Sequence, residues 1–143
     1  MMPLAALPTN DQTQRLRVLL VDDAPDVRQG LRQLLQLTGR IEVVGDAEDG
    51  LEAIRLSAEL APDVVVMDLE MPRINGLEAT RQIKLRAPLT RVVILSVHGS
   101  QTDLRWAQEA GADRFVIKGA DFQTLINTIL GQDGTFNSSE KGE

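Results

Sequence analysis

The chain has 143 residues, of which 43% are hydrophobic and 25% charged, with a formal net charge of −6 and no cysteine. Its length suits one domain with a real core, and its composition excludes a globally disordered chain. Its acidity makes it a poor direct binder of nucleic acid, and the absence of cysteine excludes a disulfide framework and a thiolate zinc site and fits a cytoplasmic setting.

No apolar run approaches the length of a membrane span, and Met1–Pro8 lacks the basic start and long apolar core of a signal peptide. Residues 1–14 read as a flexible tail. The folded domain is expected over 15–130. Arg17–Val21 reads as a first buried strand, ending on Asp22 and Asp23. Pro25 suits a helix start, and Val27, Leu31, Leu34 and Leu35 form an apolar stripe that Gly39 ends. A second strand covers Ile41–Gly45, and Leu51, Ile54 and Ala58 mark a helix running to Pro62. Val64–Met67 is short, β-branched and wholly apolar, as a strand covered on both faces should be, and Asp68 stands where it leaves the sheet. Asn75-Gly76 opens a third helix carrying Leu77, Thr80 and Ile83. Val92–Leu95 is a fourth strand running into Ser96, and Leu104, Ala107 and Gly111 suggest the sheet side of a fourth helix. Phe115–Ile117 is a short fifth strand ending on Lys118, followed by a helix with Phe122, Leu125, Ile126 and Ile129 on one face. From Gly131 to residue 143 the chain is polar and reads as disordered.

Five strands alternating with five helices predict a single α/β domain, a doubly wound, five-stranded parallel sheet of flavodoxin-like type. The common order for such a sheet, 2-1-3-4-5, is borrowed from known sheets of that class. Ligands of these sheets bind beyond the carboxyl ends of the strands. On that rim stand Asp22 and Asp23 from strand 1, Asp68 from strand 3, Ser96 from strand 4 and Lys118 from strand 5. Singly, each has a bland reading as a capping acid, a turn serine or a surface lysine. Together they suggest a chemistry. Crowded carboxylates repel by about 4 kcal/mol per pair at 4 Å, and a cation such as Mg²⁺ relieves that repulsion. A lysine and a hydroxyl suit the oxygens of a phosphoryl group, and a carboxylate can be its acceptor.

These residues resemble the receiver domain of two-component response regulators. The matching pieces are Val18–Asp23, Asp68–Pro72 with Asn75-Gly76, Ile94-Leu95-Ser96, and Ala110–Asp113 leading to Phe115–Lys118; they span about residues 16–130. The overall look is that of receivers of NarL- or LuxR-type regulators. A chemotaxis receiver is itself a standard example of the 2-1-3-4-5 order. The resemblance implies that Asp68 is the phospho-acceptor. It implies that Mg²⁺ is held by Asp23, Asp68 and the backbone carbonyl of Glu70, with Asp22 acting through metal-bound water. Lys118 and Ser96 would hold the phosphoryl group, and Ser96 with Phe115 would form the switch. The phosphodonor would be a sensor histidine kinase or a histidine phosphotransfer protein. An unknown output partner would meet the face of helix 4, strand 5 and helix 5, with no direct nucleic-acid or membrane binding by this chain. Phosphorylation and slow dephosphorylation of itself do not make the domain an enzyme toward an external substrate.

The chain departs from the pattern at Gly119, where receivers usually carry proline. Glu70 and His98 occupy positions that tune the lifetime of the phosphorylated state in the family; as the only histidine, His98 is more readily a solvated loop residue than a catalyst. Trp106 falls on a flank of helix 4, either packed on the neighbouring helix or offered to a partner. Three rivals are weaker. A haloacid-dehalogenase-type phosphohydrolase would carry aspartate where Glu70 stands. A flavodoxin-like carrier would not place Asp22-Asp23 against a flavin phosphate. A phosphorylation-independent interaction module would usually lack part of the site. A receiver belonging to a longer DNA-binding regulator remains open as the wider context.

Overall fold

Val64, Val65, Val66, Met67 and Asp68 are all buried, so the central strand is covered on both faces over its whole length. The computed structural model describes residues 14–71 and 75–132. In chain order the elements are β1 (Leu16–Val21), α1 (Pro25–Leu37), β2 (Ile41–Ala47), α2 (Gly50–Leu60), β3 (Val64–Asp68), α3 (Gly76–Arg86), β4 (Arg91–Ser96), α4 (Gln101–Ala110), β5 (Arg114–Ile117) and α5 (Phe122–Leu130). All strand pairs are parallel, in the order β2-β1-β3-β4-β5. The expected order is therefore observed. The tails expected at 1–14 and 131–143 lie almost wholly outside the described residues, as does Pro72. No helix among the described residues is long and apolar enough to cross a membrane.

The period-2 alternation of strand side chains divides the interior into two cores. Val18, Leu20, Val64, Val66, Val93 and Leu95 face Leu35 of α1 and Leu125, Ile126 and Ile129 of α5. Leu19, Val21, Val65, Met67, Val92 and Ile94 face Ala53 of α2, Ala79 and Ile83 of α3, and Ala107 of α4. The second side is lined largely by alanines, which let those helices approach closely.

Two helix faces differ from the sequence expectation. On α1 only Leu35 of the apolar stripe is fully buried; Val27 is 49% and Leu34 46% exposed. They border a hollow of about 340 Å³ between α1 and α5, closed below by Leu31, Phe122 and Leu125. The stripe is wider than the strip of sheet that α1 covers. On α2 the buried positions are Gly50, Ala53 and Ser57, and Leu51 is exposed. Small residues, not large ones, mark that contact face, and periodicity of large apolar residues misses it.

β2 runs two residues beyond the expected Gly45. The register slips between Val18, opposite Val43, and Leu19, opposite Gly45. A β-carbon at Gly45 would stand 2.8 Å from Leu60 Cδ1, so glycine lets α2 close over the irregularity. The slip sets Asp46 opposite Leu20 rather than Val21, on the side of the sheet that faces α1.

The Ala110–Asp113 segment has a structural explanation. Gly111 ends α4 in the left-handed conformation, φ +100°. Asp113 Oδ2 then accepts the Val92 N–H at 2.8 Å and pairs with Lys84 Nζ at 3.0 Å. Lys84 also donates to the carbonyls of Pro88 and Thr90, tying α3 to the starts of β4 and β5. This brace is at the end of the sheet opposite the rim where Asp68 and Ser96 emerge.

Candidate functional site

Three backbone hydrogen bonds join the ends of neighbouring strands, and these set where the side chains start. Asp22 N–H donates to Ala47 O at 3.1 Å, Leu69 N–H to Leu95 O at 2.9 Å, and Lys118 N–H to Ser96 O at 2.7 Å. Asp22 is buried, and its Oδ1 accepts the Ala24 N–H at 2.9 Å. Asp23 follows it into solvent. Asp68 is buried at the tip of β3, with Oδ1 accepting the Glu70 N–H at 3.3 Å. Gly76 lies so flat against the Asp68 carbonyl that a β-carbon there would overlap it. Lys118 Nζ completes the group, 3.3 Å from Asp22 Oδ2 and 3.3 Å from Asp68 Oδ2.

Ser96 is completely buried on the strand next to Asp68, and its Oγ accepts the His98 N–H at 3.2 Å. His98 itself is exposed. Phe115 is half-buried and packs on the core shared with α3 and α4, opposite Ile94 in the ladder. Gly119 has φ +98°, and no peptide bond among the described residues is cis. The loop therefore turns by glycine's left-handed freedom rather than by a proline ring. Trp106 is 50% exposed and lines a hollow together with Leu69, Met71 and Leu77.

Burial pushes the Asp68 carboxyl up to about 6; Lys118 opposes that shift and the nearby Asp22 charge adds to it. Burial acts to lower Lys118, but the carboxylates of Asp68 and then Asp22 outweigh it, and the ammonium is held above its ordinary range. Both groups are thus shaped by the same crowding.

The donor set fits a small, hard cation. One carboxylate oxygen from each of Asp22, Asp23 and Asp68 lies within 4.8 Å of the others. Asp22 Oδ2 is buried and faces the Lys118 ammonium 3.3 Å away. Ligand oxygens about 2.1 Å from one centre are about 3 to 4 Å apart, within reach of this cluster.

The structure adds residues that the sequence reading passed over. Arg28 Nη1 donates to the Asp22 carbonyl at 2.5 Å and its Nε to Asp46 Oδ1 at 3.2 Å. Arg32 Nη1 pairs with Asp46 Oδ2 at 2.6 Å. The sequence held a faint signal, two arginines four apart on α1, but their partner lies on another strand.

The comparisons agree with this geometry. The model of the response regulator receiver domain matches residues 18–130. The nitrate/nitrite response regulator protein NarL of Escherichia coli is 35% identical over 112 residues, 78% of this chain and 52% of its own. The transcriptional regulatory protein LiaR of Bacillus subtilis is 41% identical over 114 residues, 80% of this chain and 54% of its own. This chain thus spans about half the length of the curated relatives it matches. Among solved structures, the signal receiver domain of the response regulator NarL from Mycobacterium tuberculosis superposes with TM-score 0.79 at 30% identity, covering 82% of this chain and 95% of that one. A LuxR-family two-component response regulator from Aurantimonas superposes with TM-score 0.78 at 35% identity, covering 90% of this chain and 99% of that one. With its whole folded part matched and its acidic strand ends gathered on one rim, the chain belongs to the response-regulator receiver domains of two-component signalling.

Proposed function

We propose that this receiver accepts a phosphoryl group on Asp68 from the phosphohistidine of a sensor kinase or a histidine phosphotransfer protein. The N–P bond of the donor breaks as an Asp68 Oδ–P bond forms, and the bond pair stays on the imidazole nitrogen. Mg²⁺, when bound, would neutralise phosphoryl charge and align the oxygens. Asp23, Asp68 and the carbonyl of Glu70 would hold it, with Asp22 acting through water. Lys118 would bind a phosphoryl oxygen as an ammonium, and its raised basicity keeps it charged across the physiological range. Near neutral pH a carboxyl titrating at about 6 is mostly ionised and able to attack.

Ser96 and Phe115 form the proposed switch. Ser96 Oγ now serves the His98 N–H; turning toward the phosphoryl group would release that contact and pull on the β4–α4 connection. Phe115, half-buried on the neighbouring strand β5, would repack, altering the surface of α4, β5 and α5 offered to a partner. Several relatives bear the names of transcriptional regulators, and a DNA-binding regulator is the output class this domain would govern. The domain modifies itself and turns over no external substrate.

The observation that carries this reading is Lys118 Nζ standing 3.3 Å from two buried carboxylates, one of them Asp68, on a rim that also gathers Asp23. The test is intact-protein mass spectrometry after incubation with acetyl phosphate or a phosphorylated kinase, with and without Mg²⁺. One phosphoryl group gained only with Mg²⁺, and lost in Asp68→Asn, is expected. An Asp68→Asn variant that gains phosphate like the wild type, or a wild type that gains none from either donor, overturns the proposal.

A further inference from the structure

We infer that Arg28 is a positioning residue that aims both cation-binding carboxylates of the β1–α1 turn, Asp22 and Asp23, by gripping the peptide between them. The inference rests on the cation reading of the site given above and extends it to a residue outside the acidic cluster.

The turn needs a grip from outside. α2, α3, α4 and α5 are capped by Asp49, Asn75, Ser100 and Asp121, each accepting the N–H three residues on. At α1 the cap position is Ala24, which has no side-chain acceptor. Asp22 Oδ1 takes the N–H of Ala24 itself. That bond closes a turn across the Asp22–Asp23 peptide but leaves the carbonyl oxygen of this peptide to a donor outside the turn.

Arg28 supplies the missing constraint. Its Nη1 donates to the Asp22 carbonyl, while the Asp22 N–H is already held by Ala47 O on β2. The carbonyl belongs to the peptide that joins Asp22 to Asp23. Fixing its plane sets ψ of Asp22 and the position of the Asp23 Cα, and so restricts how both side chains leave the backbone. Arg28 is fixed in turn. Its Nε meets Asp46 Oδ1, its side chain is only 16% exposed, and Asp46 is held from its other oxygen by Arg32. Arg32 Nη2 also reaches the Val43 carbonyl at 3.4 Å. A continuous path therefore runs from β2 through Asp46 to Arg28 and on to the peptide that carries two ligands. A guanidinium can make both contacts from one planar fork, whereas an ammonium offers a single point.

Charge alone makes the opposite prediction, and this separates the two accounts. A cation close behind Asp22 repels Mg²⁺, so removing it on Coulombic grounds alone tightens Mg²⁺ binding. Removing a positioning contact weakens it, typically by about 10-fold or more for a group that orients metal ligands.

The experiment is calorimetric titration of the full chain with MgCl₂, comparing wild type, Arg28→Gln, Arg28→Lys and the distant control Arg55→Gln, with a thermal melt of each. Arg28→Gln is expected to weaken the Mg²⁺ dissociation constant about 10-fold. Arg28→Lys, which keeps the charge and loses the fork, is expected to weaken it by a smaller factor, and Arg55→Gln to leave it unchanged. If Arg28→Gln fails to fold, Arg28→Lys decides. Lower melting temperatures with unchanged Mg²⁺ affinity would make Arg28 a brace only and overturn the inference, as would tighter binding in Arg28→Gln. A wild type that binds no Mg²⁺ overturns the cation reading itself and this inference with it.

Discussion

Lys118 Nζ stands at the same distance, 3.3 Å, from Asp68 Oδ2 on β3 as from Asp22 Oδ2 on β1. One ammonium therefore serves two carboxylates, and neither is fully neutralised by it. Burial prevails at Asp68 for that reason: its carboxyl remains raised although a lysine touches it. Without a bound cation the domain stores unfavourable charge at the residue proposed to accept the phosphoryl group.

A pH dependence arises from this shift. Between pH 4 and 6 the folded protein keeps a proton on Asp68 that the unfolded chain has already released. Stability therefore falls as pH rises through that window and levels off above it. The gap between the ordinary 3.8 and about 6 corresponds to about 3 kcal/mol. Urea unfolding in EDTA at several pH values, wild type against Asp68→Asn, isolates the contribution, since all other groups are shared. The wild type is expected to lose stability relative to the variant by about that amount between pH 4 and 7. A difference that does not change with pH would mean that burial does not raise Asp68.

The other two acids of the cluster differ in their partners, and their variants should differ too. Asp23 is exposed and adds negative charge beside a buried pair. Asp23→Asn is expected to raise the unfolding temperature in EDTA by about 2 °C or more and to weaken Mg²⁺ binding. Asp22→Asn also removes repulsion, but it gives up the ion pair with Lys118 while an amide oxygen can still accept the Ala24 N–H. Its gain in melting temperature is expected to be smaller than that of Asp23→Asn. Parallel melts with and without MgCl₂ test the order. An Asp23→Asn variant that is destabilised in EDTA with unchanged Mg²⁺ affinity would count against a shared cation site.

The strand ends were legible because a buried parallel strand announces itself as a short β-branched run, and the residue after that run must emerge at the rim. Val64–Asp68 and Val92–Ser96 are of this kind, and with them came Asp68, Ser96 and the approximate place of Lys118. The contacts that were not legible depend on partners remote in sequence. The grip of Arg28 on Asp22 is braced by Asp46, which the register slip at Val18 sets opposite Leu20, on the α1 side of β2. The exposure of Val27 and Leu34 depends on how closely α5 approaches α1, which no local pattern records. The buried face of α2 consists of Gly50, Ala53 and Ser57, whose smallness carries no hydrophobic signal.

Lys84 offers a test at the far end of the sheet. Its ammonium is largely buried and serves two carbonyls and the Asp113 carboxylate. Lys84→Met keeps the stem but leaves those acceptors without their shared donor, although Asp113 keeps the Val92 N–H. A loss of about 2 to 3 kcal/mol in urea unfolding is expected, with Mg²⁺ affinity unchanged because the brace is remote from the acidic rim. A loss below about 0.5 kcal/mol would place Lys84 among ordinary surface lysines.

Gly30 and Gly76 both lie in helices, and replacing each by alanine is expected to act with opposite sign. Gly30 is in the body of α1, exposed, and a β-carbon there would meet nothing within 4 Å. Alanine costs the folded state no contact and restricts the unfolded chain, so Gly30→Ala is expected to stabilise by about 0.5 to 1 kcal/mol. Gly76 begins α3, and a β-carbon there would overlap the Asp68 carbonyl and stand 3.0 Å from the Leu69 Cα. Those are backbone atoms of the central strand end and cannot rotate away. Gly76→Ala is therefore expected to destabilise by about 1 to 3 kcal/mol despite alanine's better helix propensity, because α3 must lift or the tip of β3 must bend. Either movement displaces Asp68, so its phosphorylation by acetyl phosphate is expected to slow in Gly76→Ala and to keep the wild-type rate in Gly30→Ala. Urea unfolding and the phosphorylation time course of the two variants check both halves. If Gly76→Ala proved as stable and as fast as Gly30→Ala, close approach of α3 would not be what seats the acceptor aspartate.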